Sequence, residues 1–285
     1  MKKRLTALLV VLLVFALALP LAAFADIGPK PSVRVTFTGA GGREFYATLL
    51  SQASGTGPYS AEPGRSWGND LEENEPVRQA MAAYQDPDGF YFLQTAWLCS
   101  ETRPLAWTYY PPVTYKLLVY FPDTGEFLTS GVYSRYAFDN YYTVDLADLT
   151  NGQLILRKSY DYTWELISLL VRILATIALE LVVAVPFGFA KKPFLRPILT
   201  VNVVTQILLN LGLNMIAYWM GGLAFMIFFW PLEVLVFILE AVAYRPLLGR
   251  RCGASASRTT FYALTANVVS CAAGFWLAQA VPGIF

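Results

Sequence analysis

WELISLLVRILATIALELVVAVPFGF, residues 164–189, decides how this chain is to be read. At about 1.5 Å per residue such a run crosses a hydrocarbon core of about 30 Å. It nevertheless carries Arg172 and Glu180 inside the apolar stretch. Three more apolar runs follow, at residues 198–220, 223–244 and 259–281, so residues 164–285 are predicted to form an all-α four-helix transmembrane bundle. These runs add Asn202, Gln206, Asn210, Glu233, Glu240 and Asn267. Charges and carboxamides are costly in hydrocarbon and face a helix interface or a water-filled path. The eight polar residues are therefore the candidate functional set, with structural hydrogen bonding between helices as the competing reading.

Composition agrees. Of 285 residues, 56% are hydrophobic and 14% charged, against about 25% charged in soluble domains. The net charge of +1 hides an asymmetry. Residues 26–163 hold 16 acids and 10 bases, whereas residues 164–285 hold 4 acids and 8 bases. An acidic soluble part joined to a basic membrane part argues against a nucleic-acid partner.

Orientation follows from the loops. Lys191, Lys192 and Arg196 lie in the connection 190–197, and Arg245, Arg250, Arg251 and Arg258 in 245–258, while Gly221-Gly222 carries no charge. The positive-inside rule puts both basic loops in the cytoplasm and the C-terminus outside. Residues 1–25 read as a secretory signal: Lys2-Lys3-Arg4, an apolar core, Pro20, and the small-x-small site Ala23-Phe24-Ala25. An uncleaved anchor is the other reading. Both place residues 26–163 outside, in the plasma membrane's extracellular space.

Residues 26–163 are predicted to form an extracellular all-β domain, antiparallel and sandwich-like, with one short helix. Residues 33–38 and 44–51, joined by Gly39-Ala40-Gly41-Gly42, read as a hairpin. A second hairpin is expected from Tyr115 to Tyr133 around Pro122-Asp123-Thr124-Gly125. Asn74 is expected to cap the helix, with Val77, Met81 and Tyr84 on one face. Asp86-Pro87-Asp88-Gly89 reads as a solvated acidic turn, because the spacing and terminal Glu of a calcium loop are missing. Trp67, Trp97, Trp107, Tyr109 and Tyr110 are candidate ligand-binding aromatics, with core packing as the competing reading.

Absences narrow the chemistry. There is no histidine, and Cys99, Cys252 and Cys271 fall in separate regions. No catalytic residue, metal ligand or cofactor is predicted, and intramembrane proteolysis that depends on His, or on Asp within a span, is excluded. Measured from the basic loops, Glu180, Gln206, Glu233 and Asn267 lie roughly 13–18 Å deep, with Asn202 and Glu240 at about 8–9 Å. Arg172 is expected either to pair across helices, with Glu233 as the named candidate, or to reach the outer surface. The leading functional reading is a non-enzymatic membrane protein whose extracellular domain binds or senses a ligand or partner protein. The alternative is proton or cation translocation through the polar layer. The lipid bilayer is the certain environment, and a homo-oligomer would be needed for a carrier.

The mature opening Asp26-Ile27-Gly28-Pro29-Lys30-Pro31-Ser32, with YATLLS at residues 46–51, Gly57-Pro58-Tyr59-Ser60 and the Glu/Asn pattern of the last helices, resembles a group of bacterial multi-pass membrane proteins. That resemblance implies the same membrane class and supplies no activity or site residue.

Overall fold

A computed structural model describes residues 28–63, 74–250 and 252–280. The predicted signal segment, Trp67, Asp70, Glu72 and Glu73 lie outside them. The chain divides into two compact units, one of them Pro29–Tyr160 and the other containing Asp161–Phe285.

The first unit is β-rich. Its strands are β1 (Ser32–Thr38), β2 (Phe45–Ser51), β3 (Gly55–Thr56), β4 (Tyr59–Ser60), β5 (Trp97–Cys99), β6 (Leu105–Trp107), β7 (Thr114–Phe121), β8 (Glu126–Thr129), β9 (Tyr133–Ser134), β10 (Asp139–Asp145), β11 (Leu149–Thr150), β12 (Gln153–Leu154) and β13 (Arg157–Lys158). Helix α1, Glu75–Ala83, interrupts them. One main sheet has the order β13-β10-β1-β6 and the other β5-β2-β7-β8, with β9 also on β7.

Alternation explains the first sheet. In β1 the side chains Val33, Val35 and Phe37 are buried while Arg34, Thr36 and Thr38 face out. Strand β2 is buried at every position, as a strand covered on both faces must be. Phe45, Ala47 and Leu49 pack into the core between the sheets, with Trp107, Tyr115, Leu117 and Val119. Tyr46 and Leu50 pack on the opposite side with Val77 and Met81 of α1. The layering is helix, sheet, sheet.

Two expectations are corrected. β1 and β2 are not a hairpin: they belong to different sheets. The chain crosses between the sheets through Gly39, Gly41 and Gly42, all at positive φ, a conformation glycine adopts without steric cost. The domain is also not wholly antiparallel, because β1 runs parallel to β10, from Ser32 opposite Asp139 to Thr38 opposite Asp145. The second hairpin forms as read, with Phe121 opposite Glu126 and Gly125 at φ 72°.

Helix α1 starts where Asn74 Oδ1 accepts the Val77 amide at 3.4 Å. Asn74 Nδ2 also donates to the Tyr46 hydroxyl at 3.2 Å, tying the cap to the sheet. Asn74→Ala is expected to lower stability by about 1 kcal/mol. Chemical denaturation followed by tryptophan fluorescence measures this; an unchanged midpoint would show that the cap contributes nothing.

The second unit is helical: α2 (Tyr162–Ala184), α3 (Lys192–Met220), α4 (Gly222–Tyr244), continued by a π-helical segment Arg245–Arg250, and α5 (Ala256–Ala280). Three of these, α2, α3 and α4 with its extension, are long and apolar enough to cross a membrane. Their surfaces are inverted relative to a soluble bundle. Leu170, Leu174, Val182, Leu208, Leu239 and Val242 are exposed, while Arg172, Glu180, Asn202, Gln206 and Glu240 are buried. Large exposed apolar faces of this kind mark contact with lipid or protein.

A buried carboxyl and carboxamide centre in the helical unit

Glu240 of α4 is completely buried. Its Oε1 accepts from Thr205 Oγ1 of α3 at 2.6 Å, and its Oε2 from Asn267 Nδ2 of α5 at 2.6 Å. Glu180 of α2 is buried as deeply, and Ser270 of α5 donates to its Oε1 at 3.5 Å. The Tyr262 hydroxyl donates to the Glu180 backbone carbonyl at 3.3 Å. Asn202 of α3 donates to the Tyr244 hydroxyl at 2.9 Å and to the Ile198 carbonyl at 3.0 Å. Glu180 and Glu240 are near enough to interact electrostatically. One cluster thus joins all four helices.

Its hydrogen bonds do not balance. Asn202 Oδ1 and Asn267 Oδ1 are buried acceptors with no donor among the described residues, and Glu180 Oε2 has none in ordinary hydrogen-bond geometry, although Asn202 lies close to that carboxyl. Rotating the amides does not help. Asn267 must present its NH₂ to Glu240 Oε2 and the Ala263 carbonyl, both acceptors. Asn202 is held in the same way, since its NH₂ faces the Ile198 carbonyl. No cationic side chain pairs with either glutamate among the described residues. Two adjacent buried carboxylates cannot both stand uncompensated. A proton on one carboxyl removes one of the two charges and turns one acceptor into a donor.

The other residues of the candidate set lie elsewhere. Asn210 bonds Gln206, Nδ2 to Oε1 at 3.3 Å. Arg172 does pair across helices, but Nη2 reaches Asn214 Oδ1 of α3 at 2.9 Å, not Glu233. Glu233 is half-buried and lines a groove between α4 and α5 with Asn267 and Cys271. Thr205, Asn214, Tyr244 and Tyr262 were not among the predicted residues. Hydroxyl and carboxamide side chains near span ends resemble ordinary interfacial residues, so their sequence signal is weak.

Two helices outrun their apolar stretches. Helix α3 begins at Lys192 and continues through Pro197, and α4 runs on through the π-helical segment. Both connections are therefore partly helix. The two basic connections meet at one end of this unit. Arg258 Nε donates to the Phe187 carbonyl at 2.7 Å, and Cys252 Sγ lies 3.3 Å from the Pro193 carbonyl.

In the β-rich unit the aromatics are largely structural. Trp107 is fully buried, with Nε1 donating to the Tyr109 carbonyl at 2.9 Å. Trp97 packs on it at 4.9 Å between ring centroids. Tyr109 is exposed and meets Tyr110 edge-on, and Lys30 Nζ lies 5.1 Å from the Tyr110 ring.

The acidic turn at residues 86–89 has a partner that was not expected. Lys116 of β7, itself buried, places Nζ 2.9 Å and 3.0 Å from the Asp86 carboxylate oxygens. The same ammonium reaches Asp88 Oδ2 at 2.5 Å. Burial works against the charge on Lys116, but the bonds to Asp88 and Asp86 outweigh it and raise the ammonium's pKa above the usual lysine value. The lone lysine in the apolar run TYKLLVYF was the available signal.

No protein-family model, curated protein or solved structure matches the chain.

Proposed function

We propose that the helical unit handles a proton or small cation at the Glu180–Glu240 centre, in a multi-pass protein of the cell membrane. The observation that carries this reading is the cluster's composition: two buried carboxyls with no cationic partner, beside two carboxamide oxygens without a donor, among the described residues. Groups of this kind within a membrane mark ion and proton paths. In this proposal α5 is the fourth span, the basic connections face the cytoplasm, and the β-rich unit is extracellular. The exposed leucines and valines meet the bilayer or, in an oligomer, a second copy.

Binding or sensing by the β-rich unit becomes the second part of the proposal. It is supported by the outward Tyr109 beside Tyr110, not by Trp107, whose ring is enclosed.

The experiment is flux in vesicles. The full chain is reconstituted, and uptake of protons, sodium and potassium is followed under an imposed gradient. Flux above that of protein-free vesicles, lost in Glu180→Gln, is expected. No flux of any of the three ions under either polarity of the gradient would overturn the reading.

A further inference from the structure

Two cavities lie along the α4/α5 interface and share Phe237 and Leu264, so they form one groove. The first, of about 370 Å³, is walled by Trp230, Val234 and Val268, with Glu233 and Cys271 at its far end. The second, of about 320 Å³, opens between Arg245, Ser257 and Phe261. The groove is mostly apolar, with Glu233 and Asn267 as its polar lining, and is basic at one end. Arg245 is exposed and makes no hydrogen bond or ion pair among the described residues.

Length supports a particular occupant. From Arg245 to Glu233 the helix rises roughly 18 Å, close to one leaflet of about 15 Å. Its basic end is also the end at which the two basic connections meet. We propose that this groove binds an anionic phospholipid, with the phosphate at Arg245 and Ser257 and one acyl chain lying over Leu264, Val268 and Trp230. Basic pockets between membrane helices recognise lipid phosphates in this way. A zwitterionic lipid is the poorer fit, because its own ammonium competes for the phosphate. The proposal is independent of the proton or cation reading.

The test uses the full chain in vesicles containing phosphatidylglycerol or phosphatidylcholine with brominated acyl chains. Bromine quenches nearby tryptophan, and Trp230→Phe identifies the part of the signal that comes from the groove. Phosphatidylglycerol is expected to quench that part at roughly fivefold lower mole fraction. Arg245→Gln should abolish the preference, Arg245→Lys should keep part of it, and Val268→Phe should weaken quenching by filling the groove. Since Arg245 and Val268 are both exposed, these variants are expected to fold, which circular dichroism checks. Equal quenching by the two lipids, a preference that survives Arg245→Gln, or displacement by free inorganic phosphate would each overturn the proposal.

Discussion

Lys116→Met is expected to destabilise the β-rich unit by about 3–5 kcal/mol, because it leaves Asp86 as a buried, unpaired charge. The Asp86 side chain is wholly buried, and Lys116 is the cation it meets among the described residues. Asp88 is different. Its side chain is 62% exposed, so water replaces the ammonium and Asp88→Asn should cost far less. Removing both buried partners, as in Lys116→Met with Asp86→Leu, should recover most of the loss, since an apolar pair of similar volume is often as stable as a buried ion pair. Denaturant unfolding of the four proteins measures these differences. Equal losses for Lys116→Met and Asp88→Asn would show that Asp86 is not the partner that matters.

The same pair sets an alkaline limit. A lysine whose folded pKa is raised contributes stability that is fully present below its unfolded pKa and is lost as pH rises through the folded value. The difference in unfolding free energy between the parent and Lys116→Met should therefore be flat through neutral pH. It should shrink only above about pH 10.4, where a free lysine loses its proton.

Glu240→Gln and Glu240→Leu are expected to stop ion flux while leaving the bundle folded. If the centre were only helix glue, Gln should be harmless and Leu damaging. The hydrogen bonds argue that neither variant unfolds the bundle. The single hydroxyl proton of Thr205 can turn instead to the Val201 carbonyl at 3.0 Å, and Asn267 also donates to the Ala263 carbonyl at 3.0 Å. Each donor keeps an acceptor on its own helix when Glu240 is removed. Glu240→Leu should therefore change stability by only about 1 kcal/mol. Thermal unfolding in detergent and flux in vesicles, measured on the same preparations, separate the two roles. Retained flux in Glu240→Gln would remove Glu240 from the path.

Local patterns were readable before any contact was known. Asn74 before Pro76, with Val77 and Met81 on one face, specified α1, because capping and helical periodicity are properties of neighbouring residues. The turn at residues 122–125 specified the β7/β8 hairpin for the same reason. The pairing of β1 with β10 was not readable in this way. Those strands lie more than 90 residues apart, and an apolar strand edge accepts a partner in either direction.

The candidate centre divides along the same line. Sequence alone determined that residues 164–285 contain long apolar helices carrying glutamates and carboxamides, because charge and hydropathy are carried by each residue separately. It also determined that histidine-dependent chemistry is absent. Only the tertiary structure decided which polar groups meet. It drew Glu180, Asn202, Glu240 and Asn267 together with Thr205, Ser270, Tyr244 and Tyr262, and sent Arg172 to Asn214. The reason is physical: a buried hydrogen bond depends on helix rotation and on where each helix begins and ends. The extensions of α3 and α4 into their basic connections were likewise decided by the fold.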